Sequence, residues 1–438
     1  MPQPLNDPKT LTGWALFDWA NSAFALVITT AIFPPYFEEM VDPEFTVLGV
    51  GFTNSSWFAY LITVSYLVIA ALSPFLSGIA DAGGRRKSFL RAFTVMGGLG
   101  CLSLFFFTGM GTMWLGSLGF IVGLIGFAGG LVFYNSFLPV IATEDRYDRL
   151  SARGFAMGYI GSVLLLLLNL AMVLKPGWFG MPESGSLPVR MAFVTVGLWW
   201  LGFGALSLSR LPDDVRRPGT GLGDMAARGW REFRGVWERM RDYPQAKRFL
   251  AAFFSYSAGV QTVIFLASIF AKKELGFETE ELILVVLILQ IVAIGGAYLA
   301  ARISEWRGNK VALYFELVIW TLICVLAYFV TGKLQFYLIA GAVGLVMGGI
   351  QSLSRSTYAK VIPRRGGAED TAADTTSWFS FYDVLEKVAI VLGTFLFGLL
   401  DALTGSMRLS VLILSVFFLL GMALLSRFHL RAAAPQST

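Results

Sequence analysis

The sequence predicts an all-α membrane protein of twelve transmembrane helices in two six-helix, pseudo-symmetric halves. Three observations predict it: apolar residues greatly outnumber charged ones, apolar runs of membrane-spanning length recur along the chain, and several landmarks repeat at nearly one offset.

Of 438 residues, 56% are hydrophobic and 14% are charged. That leaves too little polar surface to cover a water-soluble globule of this size. Crossing about 30 Å of hydrocarbon takes roughly 20 mostly apolar helical residues, whereas a membrane barrel would need short alternating segments that the chain lacks. The amino end, MPQPLNDPKTLTG, has no basic patch followed by a short apolar core and cleavage site, so the first apolar run is expected to be a retained helix. Cys101 and Cys324 lie in separate apolar runs without the spacing of a redox or zinc site, and the single histidine, His429, falls at the edge of the last run.

Helices are expected near 13–37, 53–80, 88–110, 113–141, 152–174 and 190–210, and again near 249–271, 281–302, 310–331, 334–360, 376–400 and 407–428. Of the 34 Lys and Arg residues, 26 fall on the side that holds both ends, six on the other, and two, Arg355 and Lys387, inside helices. Positive charge stays in the cytoplasm, so both termini and the central linker are expected there, in a bacterial inner membrane. Pro34 and Pro35 are expected to end the first helix, while Pro74 and Pro139 are candidate kinks in the second and fourth.

The halves repeat. S-G-I-A-D-A-G-G-R-R-K places Asp81 at the end of the second helix, and A-R-I-S-E-W-R-G-N-K places Glu305 at the end of the eighth, 224 residues later. Tyr159 and Tyr382 are 223 apart, and Gly129-Gly130 and Gly348-Gly349 are 219 apart. The resulting domain organisation is 1–211, a linker at 212–247, and 248–438. Repeats of this size belong to transporters that rock around a midplane site. In the linker, Trp230, Phe233, Trp237 and Met240 follow a 3 and 4 spacing among Arg228, Arg231, Arg234, Arg239 and Arg241. That pattern suits an amphipathic helix on an anionic leaflet rather than nucleic-acid binding.

The loop Asp81, Gly84, Arg85, Arg86 resembles the signature between helices two and three of the major facilitator superfamily, with Ala82 and Ser77 departing from it. L-F-D-W-A-N-S-A-F (16–24), F-Y-N-S-F-L-P (133–139), S-A-R-G-F-A-M-G-Y-I-G (151–161) and G-G-I-Q-S-L-S-R-S-T-Y-A-K-V-I-P (348–363) narrow the likeness. Together they resemble the autophagy-related vacuolar amino-acid effluxers and their bacterial relatives. The resemblance implies the twelve-helix major facilitator fold, alternating access, and a cavity walled by helices one, four, seven and ten. The amino-acid role belongs to the fungal vacuolar members.

Polar groups inside a bilayer are costly and mark cavities or partners. Asp18, Trp19, Asn21 and Ser22 lie on helix one, Tyr134 and Asn135 on helix four, Tyr256 and Gln261 on helix seven, and Gln351, Ser354 and Arg355 on helix ten. On helix eleven, Asp383 and Lys387 are four apart with Glu386 beside them. With Arg355 these form either a charge network that responds to substrate or an ion-pair lock. Asp18 is a candidate proton carrier, or else pairs permanently with an arginine such as Arg355 or caps a loop. Asp81 with Arg85 and Arg86 across the Gly84 turn is a candidate gate latch. Glu316 is expected to snorkel or to pair with Lys310.

These residues point to a secondary transporter for a small polar metabolite, an amino acid first, with protons as a candidate coupling ion. A multidrug or amphiphile exporter and a non-transporting membrane receptor are the alternatives. No phosphate-binding loop, histidine-rich metal site or nucleophile with a histidine partner is present, so no enzyme activity, cofactor or metal is expected. The expected partners are the substrate and membrane lipids, and the expected state is a monomer.

Overall fold

The computed structural model describes residues 4–215, 222–363 and 374–430. Arg216, Arg217, Arg364, Arg365 and Arg431, counted above in the charge bias, lie outside the described residues. Among the described residues, twelve helices are long and apolar enough to span a membrane. The first six are α1 (Pro8–Met40), α2 (Asn54–Gly83), α3 (Arg86–Phe106), α4 (Met110–Ile141), α5 (Glu144–Leu174) and α6 (Leu187–Arg210). A linker helix, Leu222–Arg239, precedes the rest. These are α7 (Pro244–Leu275), α8 (Glu280–Arg307), α9 (Asn309–Phe329), α10 (Lys333–Val361), α11 (Thr375–Thr404) and α12 (Met407–Ser426). Large apolar side chains such as Leu67, Leu99, Phe329, Leu338 and Phe395 face outward along these spans, as lipid requires and water would not tolerate.

Local chemistry sets the helix ends. Asp7 caps α1 by accepting from the Thr10 amide and hydroxyl, each at 2.8 Å, ahead of Pro8 in the first turn. The bond from the Thr10 amide, followed by the hydroxyl's, holds the Asp7 carboxyl below its ordinary range. Gly84 ends α2 at φ +61°, a left-handed geometry that only glycine adopts freely. Pro34 and Pro35 do not stop α1. The helix widens to π geometry over Phe24–Ile32, and the prolines then open a last helical stretch, Phe33–Met40. Proline lacks the N–H of a normal turn, and the Thr29 and Thr30 hydroxyls both donate to the Ala25 carbonyl within the wide turn. Pro74 sits inside the unbroken α2, and Pro139 opens a short turn, Leu138–Ile141, after α4 breaks at Phe137.

The all-α expectation misses one feature, an antiparallel hairpin of β1 (Glu44–Val47) and β2 (Val50–Thr53) in register Val47↔Val50. Leu48 and Gly49 both have positive φ, 51° and 81°, which is the type I′ geometry of a two-residue hairpin turn.

The chain forms two compact units. Unit 1 comprises Met1–Ala142, Arg153–Phe233 and Ala372–Val384, and unit 2 comprises Thr143–Ala152, Arg234–Thr371 and Leu385–Thr438. Two helix starts are therefore exchanged relative to chain order, that of α11 into unit 1 and that of α5 into unit 2. In unit 1, α3 and α4 approach through glycine: a Cβ on Gly126 would lie 2.5 Å from the Gly97 nitrogen, and one on Gly100 would lie 2.5 Å from the Gly123 nitrogen. In unit 2, a Cβ on Gly344 would lie 2.7 Å from the Leu289 carbonyl oxygen, so α8 and α10 pack backbone to backbone.

Glu316 departs from expectation. Lys310 is committed to the carbonyls of Ser426 and Phe428 at 2.8 and 2.7 Å. Glu316 is buried, its Oε2 has no hydrogen-bond partner among the described residues, and its carboxyl occupies the space above Gly349 that a side chain there would fill.

Candidate functional site

In unit 1, Trp14, Asp18 and Asn21 follow the i, i+4, i+7 spacing of one helix face on α1. All three are buried, as is Tyr134 on α4. The Tyr134 hydroxyl donates to Oδ2 of Asp18 at 2.7 Å. Its ring is held between Trp14 and Phe17, with centroids at 4.6 and 4.8 Å, and the Trp14 indole donates to the Tyr134 carbonyl at 3.0 Å. The aromatic clamp fixes the phenol, and the phenol fixes the carboxylate. Oδ1 of Asn21 is buried without a hydrogen-bond partner among the described residues, which leaves an acceptor one turn along from Asp18.

A second arrangement in unit 1 is built on helix ends. The first N–H groups of a helix have no partner within it and carry partial positive charge. At the start of α11, Oδ2 of Asp81 accepts from the Ser377 amide and hydroxyl, each at 2.7 Å, and Oδ1 accepts from the Thr376 amide at 3.3 Å. Arg86, at 3.7 Å from Asp81, donates to the hydroxyls of Thr376, at 3.0 Å, and Thr375. Asp81 is thus a helix cap supplied from distant sequence, and Arg86 balances its charge. The start of α3 is capped likewise: Asp214 accepts from the Lys87 and Ser88 amides at 2.7 and 3.0 Å. Asp213 takes the Lys87 ammonium at 2.8 Å, and that bond holds the Asp213 carboxyl below its ordinary range.

Unit 2 holds a knot of opposite polarity, in which the acid is on the helix start. Asp148, at the beginning of α5, accepts from Ser304 at 2.9 Å, Asn309 at 2.8 Å and Lys360 at 2.7 Å. Lys360 also donates to Oδ1 of Asn309 at 2.7 Å, and Asn309 donates to Thr357 at 3.0 Å. One turn on, Ser151 accepts from Nε of Arg355 through its hydroxyl and from Nη2 through its carbonyl, both at 2.9 Å. Elsewhere in unit 2, Tyr256 and Ser354 share a hydrogen bond of 2.7 Å, Gln261 donates to Glu386 at 3.2 Å, and Lys387 lies 3.3 Å from Glu386.

The profile of a family described as "Vacuole effluxer Atg22 like" matches residues 6–437. The chain belongs to the Atg22-like family. It is 31% identical over 422 residues to an uncharacterised MFS-type transporter, YxiO, of Bacillus subtilis (strain 168), covering 95% of this chain and 94% of that one. It is 25% identical to autophagy-related protein 22 of Saccharomyces cerevisiae (strain S288c), covering 88% and 81%. Among solved structures, the human organic anion transporter MFSD10 superposes with a TM-score of 0.70 at 14% identity, covering 97% of this chain and all of that one. FucP in its outward conformation gives 0.68 at 13% identity, covering 96% and 98%. The fold is that of the major facilitator superfamily, and this Atg22-like chain is a multi-pass membrane transporter, not an enzyme.

Of the expected site residues of this Atg22-like protein, unit 1 holds Asp18, Trp19, Asn21, Tyr134, Asn135, Asp81, Gly84, Arg85, Arg86 and Asp383, and unit 2 holds Gln261, Gln351, Arg355, Glu386 and Lys387. The structure brings together Asp18 with Tyr134, Asp81 with Arg86, and Gln261 with Glu386 and Lys387. Trp19 stacks on Trp199 at 5.3 Å, and its backbone carbonyl accepts from the Trp199 indole at 3.0 Å. Arg355 is engaged by Ser151. Sequence reasoning did not find Trp14, Asp148, Ser151, Asn309, Lys360 or the Thr375-Thr376-Ser377 run. The repeat offset of 224 carried a signal for part of this, because it aligns Asn309 with Arg85 and Lys310 with Arg86.

Proposed function

We propose that this chain is a secondary transporter that moves a small polar metabolite, an amino acid, by alternating access across a bacterial inner membrane, with both termini in the cytoplasm. The observation that carries the substrate class is the buried Asp18 carboxylate, fixed by Tyr134 beside the unpartnered Oδ1 of Asn21. Two acceptors on one helix face, one of them anionic, suit a primary ammonium. Asp18 is also the candidate for proton coupling, since an ammonium and a proton would compete for one carboxylate. The 26 to 6 bias of basic residues supports the orientation. The Asp81 and Asp148 knots each tie a helix start from one half of the sequence to loops of the other, which suits a cytoplasmic gate that breaks as the halves rock.

A thermal-shift screen of amino acids, sugars, nucleosides and organic cations on the purified protein tests the substrate class, because a ligand that binds the folded state raises its stability. At least one amino acid should raise the melting temperature of the wild type and fail to do so for Asp18→Asn. The same labelled amino acid should exchange in proteoliposome counterflow. Shifts from apolar cations alone would sink the amino-acid reading in favour of an amphiphile exporter.

A further inference from the structure

An open groove of about 620 Å³ runs along α3 in unit 1, closed on one side by Val122 of α4. It is lined along α3 by Ser88, Arg91, Ala92, Val95, Met96 and Leu99. These positions recur at helical spacing, so one face of α3 presents a cation followed by an apolar track. The geometry points to a bound anionic phospholipid, with its phosphate on Arg91 and one acyl chain along Ala92, Val95, Met96 and Leu99.

Three features favour that occupant. The groove opens outward, with Val95 and Leu99 exposed, on a helix that spans the membrane, so hydrocarbon is what meets it. From Arg91 to Leu99 is eight residues, a rise of about 12 Å, which approaches the depth of one leaflet of a hydrocarbon core about 30 Å thick. The head end carries the exposed guanidinium of Arg91. Nearby Asp214 caps α3 through Lys87 and Ser88, and Asp213 takes the Lys87 ammonium. Arg91 itself makes no hydrogen bond or ion pair among the described residues, and interacts only through the field it shares with Asp213. An exposed guanidinium at the end of an apolar track matches a lipid phosphate as a free acyl chain or a neutral amphiphile does not.

The test is native mass spectrometry of the purified full chain in detergent, after exposure to phosphatidylglycerol and phosphatidylcholine in equal amounts. The wild type should retain one phosphatidylglycerol in preference to phosphatidylcholine. Arg91→Gln should lower that retention about fivefold, the effect of one interfacial cation. Val95→Trp and Leu99→Trp, which fill the track from its exposed side, should remove the bound lipid whatever its head group. Melting temperatures close to the wild-type value would show that the fold is intact, and either tryptophan variant suffices if the other fails to fold. Equal retention of both lipids by the wild type, or retention unchanged in Arg91→Gln and the tryptophan variants, means a non-specific lipid annulus and overturns the proposal.

Discussion

Ser377 donates twice to one oxygen of Asp81, through its amide and its hydroxyl, each at 2.7 Å. The pair converts the buried N-terminus of α11 into a binding site for an acid from the end of α2, and it draws the buried Arg86 guanidinium in behind the carboxylate. Helix polarity, hydroxyl placement and charge balance thus act on the same few atoms.

Asp81→Ala should therefore be far more harmful than Ser377→Ala. Removing the acid takes from the buried Arg86 the carboxylate that balances it most strongly, a loss of about 3–5 kcal/mol, whereas removing the Ser377 hydroxyl leaves the amide bond in place and costs about 1.5–3 kcal/mol. Melting curves of the purified protein should rank the variants in that order. Asp81→Ala/Arg86→Met should recover part of the loss, because the buried guanidinium is removed together with the carboxylate it faced. A single variant Asp81→Ala that melts with the wild type would show that the knot contributes nothing to stability.

The start of α5 offers an internal control. Lys360 and Asp148 are both nearly buried at 2.7 Å, while Arg149, next to Asp148 in sequence, and Glu305 are exposed and 4.0 Å apart. Lys360→Met should destabilise by about 3–5 kcal/mol as the buried Asp148 loses its counter-charge. Arg149→Ala should change stability by no more than about 1 kcal/mol. Equal melting of the two variants would mean that burial does not set the strength of these pairs.

Much of this could be read from sequence, because twelve apolar runs and a charge bias report directly on the lipid around the chain. Asp81 and Arg86 stood out because they share a tight turn with Gly84. Asp148 did not, because E-D-R-Y-D-R reads as ordinary loop charge until Ser304, Asn309 and Lys360 converge on it from more than 150 residues away. The prolines at 34 and 35 signalled a helix stop that the π turn before them circumvents. The hairpin was hidden by its turn, Leu48-Gly49, where asparagine or aspartate before glycine would have announced it.

At Asp18, the prediction separates positioning from charge. Tyr134→Phe removes a phenol that donates to a carboxylate but keeps the ring between Trp14 and Phe17, so stability should fall by about 1.5–3 kcal/mol. The melting shift produced by an amino acid that stabilises the wild type should weaken without vanishing. Asp18→Asn should abolish that shift. If the two variants respond equally to ligand, the carboxylate acts only through its bond to Tyr134 and is not itself the binding group.

The contact between Glu316 and Gly349 gives a test that needs no substrate. A methyl at position 349 would overlap Oε1 of Glu316 and come within 2.7 Å of its Cδ, with the Ala300 methyl at 2.8 Å closing the other side. Overpacking of this kind costs about 1–3 kcal/mol, so Gly349→Ala should lower the melting temperature, whereas Gly341→Ala, with nothing within 4 Å, should not. Shortening the acid should relieve the clash: Gly349→Ala/Glu316→Ala is expected to melt above Gly349→Ala alone. Gly126→Ala admits no such rescue by trimming a side chain, since its methyl would meet the backbone of Gly97. Rescue at 349 with none at 126 would distinguish a glycine that makes room for a carboxyl from one that lets two helices touch, and failure of Glu316→Ala to restore Gly349→Ala would refute the placement of the acid.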